Sequence, residues 1–332
     1  MRNPRIPYGR MARGMLVLLA GIVLAACGRP DDAPPRDSAP LLEADEFSVM
    51  TFNVGAYGYL DRTGDGQARD MKPDDEREAV LAIITEMRPD ILALQEMGGP
   101  SVFEAFREDL SARGLAYISY ELLQRDQSEQ NLAVLSRYPI ISSYHHLEDT
   151  FSIGDEQVPV KRGYLEVDIS IHPTYQFRLL VAQLKSKAYH PLGHTEMRRN
   201  EARLLNNHVR RALSRQNRLN LLVVGDMSDH IRSAPLRTIM GSNQEYLSDL
   251  RPADAYGEIW TYYDEDAELY HRHDYMLASP YMLPEYVAEK SMVVRHKDSK
   301  RASPHRPLYA VFRARDIDPH DTPLLPSYEY DE

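Results

Sequence analysis

The chain has 332 residues, with 39 Lys and Arg against 50 Asp and Glu, a formal net charge of −11 and one cysteine. That length and an ordinary apolar content can bury a substantial core. The acidic balance argues against an obligate duplex binder, which usually carries a basic stripe, without excluding a locally basic cleft; a lone thiol excludes an intrachain disulfide framework and any thiolate metal cluster.

In chain order, Arg2, Arg5, Arg10 and Arg13 precede an uncharged stretch from Gly14 to Ala26. It is shorter than the about 20 residues a membrane span needs, and residues 1–26 read as a secretory signal peptide. Losing those four arginines takes the charge from −11 to −15. Leu24-Ala25-Ala26-Cys27 resembles a bacterial lipobox, which implies that Cys27 is lipidated, becomes the mature N-terminus and anchors the protein at the cell envelope without spanning the membrane. Gly28 rather than Asp after the cysteine points to the outer membrane. Residues 27–45, rich in Pro, Asp and Ala, read as the lipidated cysteine and a disordered tether. Residues 46–315 read as one domain and 316–332 as an acidic C-terminal tail.

Within the domain, Phe47 to Phe52 is predicted as a strand, and Asp74 is predicted to cap a helix that puts Val80, Ile83, Ile84 and Met87 on one face until Pro89 ends it. Short buried strands follow at Ile91 to Leu94, Leu132 to Leu135, Tyr164 to Ile171 and Arg178 to Leu184. Thr195 opens a long helix to about Arg215, with Met197, Leu204, Leu205, Val209 and Leu213 inward and its arginines outward. Leu219 to Val224 is another buried strand, with further strands at Asp274 to Leu277 and Tyr309 to Phe312. The mixture suggests two sheets packed together with helices outside.

Polar residues recur just past these strand ends, where a rigid scaffold commonly carries catalytic groups. They are Asn53; Gln95 and Glu96; Gln183 and Lys185; Asp226, Ser228 and Asp229; and His273 and Asp274 with Ser303, Pro304 and His305. A hard cation such as Mg²⁺ needs oxygen ligands, and Glu96, Asn53 and Asp226 supply such a set. A histidine oriented by a carboxylate is a common base near neutral pH, and His305 with Asp274 is such a pair. Each cluster alone is often a turn, a solvated edge or a structural pair; their order is what distinguishes them.

That order carries a resemblance. Thr51-Phe52-Asn53-Val54, the run from Asp90 to Glu96, the run from Asn131 to Ile140, the run from Leu222 to Asp226, Asp274-Tyr275 and the run from His305 to Leu308 resemble the successive motifs of the endonuclease/exonuclease/phosphatase superfamily, the deoxyribonuclease-I-like domain, over nearly the whole domain. The resemblance implies an α/β fold, a four-layered α/β sandwich of two packed mixed β-sheets flanked by helices, with the active site at one end of the sheets. It implies that Glu96 is the principal ligand of Mg²⁺ (or Mn²⁺), with Asn53 beside it. Asp226 would touch the metal and position or activate the attacking water, and His305 with Asp274 would be the base or a phosphate-contacting dyad. Gln183 stands at a catalytic position, and Arg162, Lys185 and Ser228 are candidate phosphate contacts.

Three departures bear on activity. Gln183-Leu184 stands where the family usually has His-Leu, Met227-Ser228 where it has Phe-Asn after Gly-Asp, and Ser303-Pro304-His305 where it has Ser-Asp-His. Losing one donor aimed at transition-state charge costs roughly 10²–10³ in rate. The favoured reading is a divalent-metal-dependent hydrolase of phosphoester bonds, its substrate nucleic acid or a phospholipid-like head group. The alternative is an impaired member that binds a phosphate ligand or nucleic acid without turnover, and a structural envelope lipoprotein is a third. Arg198, Arg199, Arg203, Arg210 and Arg211 can line a nucleic-acid groove or be a solvated helix face. Trp260 to Tyr263 can be a lipid-facing loop, with core packing the expectation for Trp260. His190 or His194 could reach the cleft and compensate for Gln183. The membrane is met through the N-terminal lipid, and nothing indicates an obligate protein partner.

Overall fold

The computed structural model describes residues 38–125, 128–216, 218–242 and 246–319. The expected signal peptide, Cys27, the tether up to residue 37 and the tail from residue 320 lie outside them. Along the strand Glu46–Tyr57, Met50, Phe52 and Val54 join one core while Phe47 and Val49 join another. Side chains alternate across a strand, so an apolar run on both faces needs a cover on each side.

Two six-stranded sheets meet this need. The first runs Met292–Val293, Leu308–Arg313, Glu46–Tyr57, Ile91–Met97, Asn131–Ser136, Ser119–Leu123 from edge to edge. The second runs Ser248–Asp249, Asp274–Ala278, Leu221–Asp226, Tyr175–Gln183, Tyr164–His172, Ile140–His146. Each holds one parallel pair, Glu46–Tyr57 beside Ile91–Met97 and Tyr175–Gln183 beside Leu221–Asp226. A parallel neighbour requires a crossover, and the helices Asp74–Met87 and His194–Arg215 provide the two. One apolar core fills the space between the sheets; the other two seat helices on the outer face of each, giving the four layers expected.

Two local expectations are corrected. Asp74 does not cap its helix: Pro73 occupies the cap position without a side-chain bond, and Asp74, Asp75 and Glu76 form the acidic first turn, which favours the positive end of the helix dipole. On the helix His194–Arg215, Met197, Leu205 and Val209 are buried, with Leu204 and Leu213 partly so. Arg199, Arg203, Arg210 and Arg211 are exposed as expected. Arg198 instead turns inward and is 3% exposed, its Nε 3.0 Å from Asp229 Oδ2 and its Nη1 3.0 Å from the Lys185 carbonyl. Among the described residues no helix is long and apolar enough to cross a membrane.

Candidate active site

In a parallel pair both strands end on the same side, and here the carboxyl ends of the two pairs converge. Asn53 lies beside Gln95 in the first register and Gln183 beside Asp226 in the second. Across the sheets, Asn53 Nδ2 donates to Asp226 Oδ2 at 3.2 Å, and Gln183 Nε2 donates to Glu96 Oε1 at 2.7 Å. Four strand ends thus bring their polar residues to one spot, the usual place for ligands in such sheets.

Glu96 reaches it through an irregular backbone. The pairing of Ile91–Met97 slips against both neighbours, after Asn53 on one side and after Leu94 on the other, and a bulge re-aims the side chain it carries. Glu96 has φ 64° and Ala56 φ 53°, backbone strain of the kind that clusters at functional sites. In return, Ala56 N donates to Glu96 Oε2 at 2.9 Å, joined by Gln130 Nε2 at 3.3 Å. Gln95, with the regular alternation, points the other way and bonds Thr51.

The opposite wall is the buried trio Asp226, Asp274 and His305. His305 Nδ1 lies 2.8 Å from Asp274 Oδ2, and Nε2 lies 3.9 Å from Asp226 Oδ2. Asp274 is seated by Thr261, whose Oγ1 accepts from the backbone of His273 and Asp274 at 3.0 Å each. Burial opposes a charge on His305, but the carboxylates of Asp274 and Asp226 outweigh it and push the imidazole up to about 9. Burial raises Asp226 above the usual carboxylate range, with His305 pulling the other way. His273, stacked on Tyr262 at 4.6 Å, is pushed down to about 4 by burial.

A family model described as "Endonuclease/Exonuclease/phosphatase family" matches residues 50–295. The chain belongs to this family. His305 lies beyond the matched stretch, so its place in the site rests on the geometry above. The fold is similar to the human Nocturnin catalytic domain with bound sulfate anion, at 17% identity and TM-score 0.57 over 83% of this chain and 97% of that one. It is similar to Staphylococcus aureus beta toxin 275-280, at 12% identity and TM-score 0.57 over 80% and 99%. D. rerio TDP2 complexed with single strand DNA product aligns at 16% identity and TM-score 0.54 over 80% and 98%. No curated protein matches the sequence.

Members of the family usually use divalent metals, and the oxygen-rich donors here suit a hard cation. Asp226, Asp274 and His305 offer ligand atoms within 4.8 Å of one another. Two of these are already bound to each other as carboxylate and imidazole, whereas Glu96 is half-buried and, among the described residues, accepts from three neutral donors, which leaves its charge uncompensated by a paired cation.

Of the expected residues, Asn53, Glu96, Gln183, Asp226, Asp274 and His305 come together. Arg162 joins them indirectly: its Nε donates to Gln183 Oε1 at 3.2 Å and its Nη2 to Gln130 Oε1. Two expected phosphate contacts, Lys185 and Ser228, meet other groups in the structure. Lys185 Nζ is tied to the carbonyls of Ser186 and Ala188 at 3.1 and 2.9 Å in the loop its own strand enters. Ser228, at φ 52°, lies with Oγ 3.0 Å and N 2.8 Å from Asp226 Oδ1 and so orients that carboxylate. Among the described residues His190 Nδ1 accepts from Leu192 N at 3.2 Å and His194 Nδ1 lies 3.5 Å from Thr195 Oγ1, contacts within the segment that opens the long helix.

Sequence reasoning missed Gln130, Thr261 and Glu201. Gln130 directly precedes a family motif, a faint signal. Glu201 had none: fully buried on the long helix, it accepts from Lys161 N at 3.2 Å and Lys185 N at 2.6 Å, clamping the backbone just before Arg162 and just after Gln183.

Proposed function

We propose that the chain is a divalent-metal-dependent phosphodiesterase, with Glu96 and Asn53, helped by Asp226, holding Mg²⁺ or Mn²⁺. The observation that carries this reading is the convergence of the two sheets' strand ends: Gln183 of the second sheet holds Glu96, Asn53 of the first holds Asp226, and the oriented Asp274–His305 pair stands beside Asp226. A bound cation would supply charge against the phosphoryl oxygens. Asp226, fixed by Ser228 and Asn53, orients the attacking water and takes its proton; His305, with Nδ1 committed to Asp274, presents Nε2 to a phosphoryl oxygen. Arg162 lends positive charge through the two amides it holds. The substrate is a phosphodiester of nucleic acid or of a phospholipid-like head group, as the complex of TDP2 with single strand DNA illustrates for one such fold.

One observation favours a binding module instead: Gln183 donates to Glu96 at 2.7 Å, occupying a carboxylate oxygen a metal would need. Hydrolysis of bis-p-nitrophenyl phosphate by the full-length chain, with Mg²⁺, with Mn²⁺ and with chelator, separates the two. Metal-dependent turnover lost in both Glu96→Ala and His305→Ala supports the enzyme; a folded, metal-binding chain without turnover leaves the module. We further infer from the lipobox-like run that Cys27 carries a lipid and holds the chain at the bacterial outer membrane; a Cys27→Ser chain still found in the membrane fraction would refute this.

A further inference from the structure

Beyond Pro304 lies a cavity of about 640 Å³, within the roughly 300–1,000 Å³ of small-molecule sites. Its lining holds seven Lys and Arg side chains against two Glu, in a chain whose net charge is −11. Such concentration of one sign in a concave surface focuses the field on an anion. Lys297 and Lys300 are exposed, line the cavity and form no ion pair among the described residues, so their charge is available.

The facing wall is aromatic. Trp260 packs on Tyr270 with centroids 4.6 Å apart, and Tyr263 on Tyr270 at 4.9 Å. Arg306, anchored to Asp254 at 2.7 Å, covers Trp260 from 4.1 Å. Trp260 is therefore part of this wall, not of the core where sequence reasoning put it. Tyr270 stays 61% exposed, its ring available to a flat partner.

Cavity and catalytic residues share a loop: Ser303 Oγ donates to the Asn53 carbonyl at 2.8 Å and accepts from His305 N at 3.1 Å, and Pro304 puts an uncharged wall between them. A lipid surface is the poorer occupant, because the ribbon that carries Tyr270 turns through Asp264, Glu265, Asp266 and Glu268, which repel an anionic membrane. A cationic head group would meet the lysines.

We propose that the cavity is a nucleotide subsite, a phosphate lying against Lys297 and Lys300 and a base against Tyr270, and that it holds the non-reacting end of the phosphodiester whose cleavage is assigned above. This rests on that assignment for its place in the reaction, not for its binding. Trp260 is the only tryptophan in the chain and reports occupancy directly. In chelator, adenosine 5′-monophosphate should change the fluorescence of the full-length chain saturably. Adenosine alone and inorganic phosphate alone should each bind about ten-fold or more weakly, since a stacked base is worth about 1–3 kcal/mol. Lys297→Ala with Lys300→Ala should weaken the nucleotide by a similar factor, while turnover of bis-p-nitrophenyl phosphate, which has no base, is unchanged. No saturable response by fluorescence or calorimetry, equal binding of inorganic phosphate, indifference to the double substitution, or tighter binding of phosphocholine each overturns the proposal. Nucleotide binding without turnover would sink only the hydrolase reading, and turnover without nucleotide binding only this one.

Discussion

The two halves of the site are built from different materials. Around Asp226, Asp274 and His305, buried groups of opposite charge character face each other, and Thr261, Ser228 and Ser303 fix each with short bonds. Around Glu96, one half-buried carboxylate receives three neutral donors, Ala56 N, Gln130 Nε2 and Gln183 Nε2, and the nearest arginine stands behind two of those amides. The first half is set in place before any ligand arrives. The second holds itself with amides that a ligand must displace. A group that moves protons gains from rigid orientation, whereas a group that receives a cation and a phosphate needs donors that can yield.

The largest test of this contrast is Asp274→Asn. It keeps the shape but removes the charge that orients His305, and should lower kcat by about 10²–10⁴ with KM little changed. A loss no larger than for a surface variant, measured by steady-state kinetics, would mean that the rigid half does not carry the chemistry. Next is Gln183→His, which puts an imidazole where the family usually has one. It should raise kcat roughly 10-fold or more, since one donor aimed at developing charge is worth about 10²–10³. An unchanged rate would show that the amide half does not limit turnover.

The smallest effect is expected from Glu201→Gln, behind the amide half. The new amide sets an N–H against the Lys161 or Lys185 N–H, which should cost about 1–3 kcal/mol of stability. Burial raises the Glu201 carboxyl above its ordinary value, opposed by those two backbone donors. The folded state therefore keeps its proton to higher pH than the unfolded one, and the wild type loses this stabilisation as pH rises through the interval above the unfolded value. The Gln variant should lack that slope, so its deficit in thermal midpoint should be wider at acid than at mildly alkaline pH. A constant gap would place the titration elsewhere.

Much of this molecule was legible before any coordinates. Strand runs such as Phe47 to Phe52 and Leu222 to Asp226 are apolar on both faces, which local sequence dictates and which demands a sandwich. The residues past their ends follow, because a strand end is a place along the chain. The roles of Lys185, Ser228 and Arg198 were not legible. Each is polar and next to a motif, and only packing decides whether its side chain turns to the cleft, to a neighbouring carbonyl or into the core.

The sequence by itself determined the family, the alternation of strands and helices, and the identity of Asn53, Glu96, Asp226, Asp274 and His305 as the groups to watch, since these are properties of short segments and their order. Tertiary structure alone decided that Gln130 and Arg162 close around Glu96, that Glu201 clamps two loops, and that Trp260 lines a basic cavity beside the site. Those contacts join residues distant in the chain, and their partners are chosen by the convergence of two sheets, which no single segment encodes.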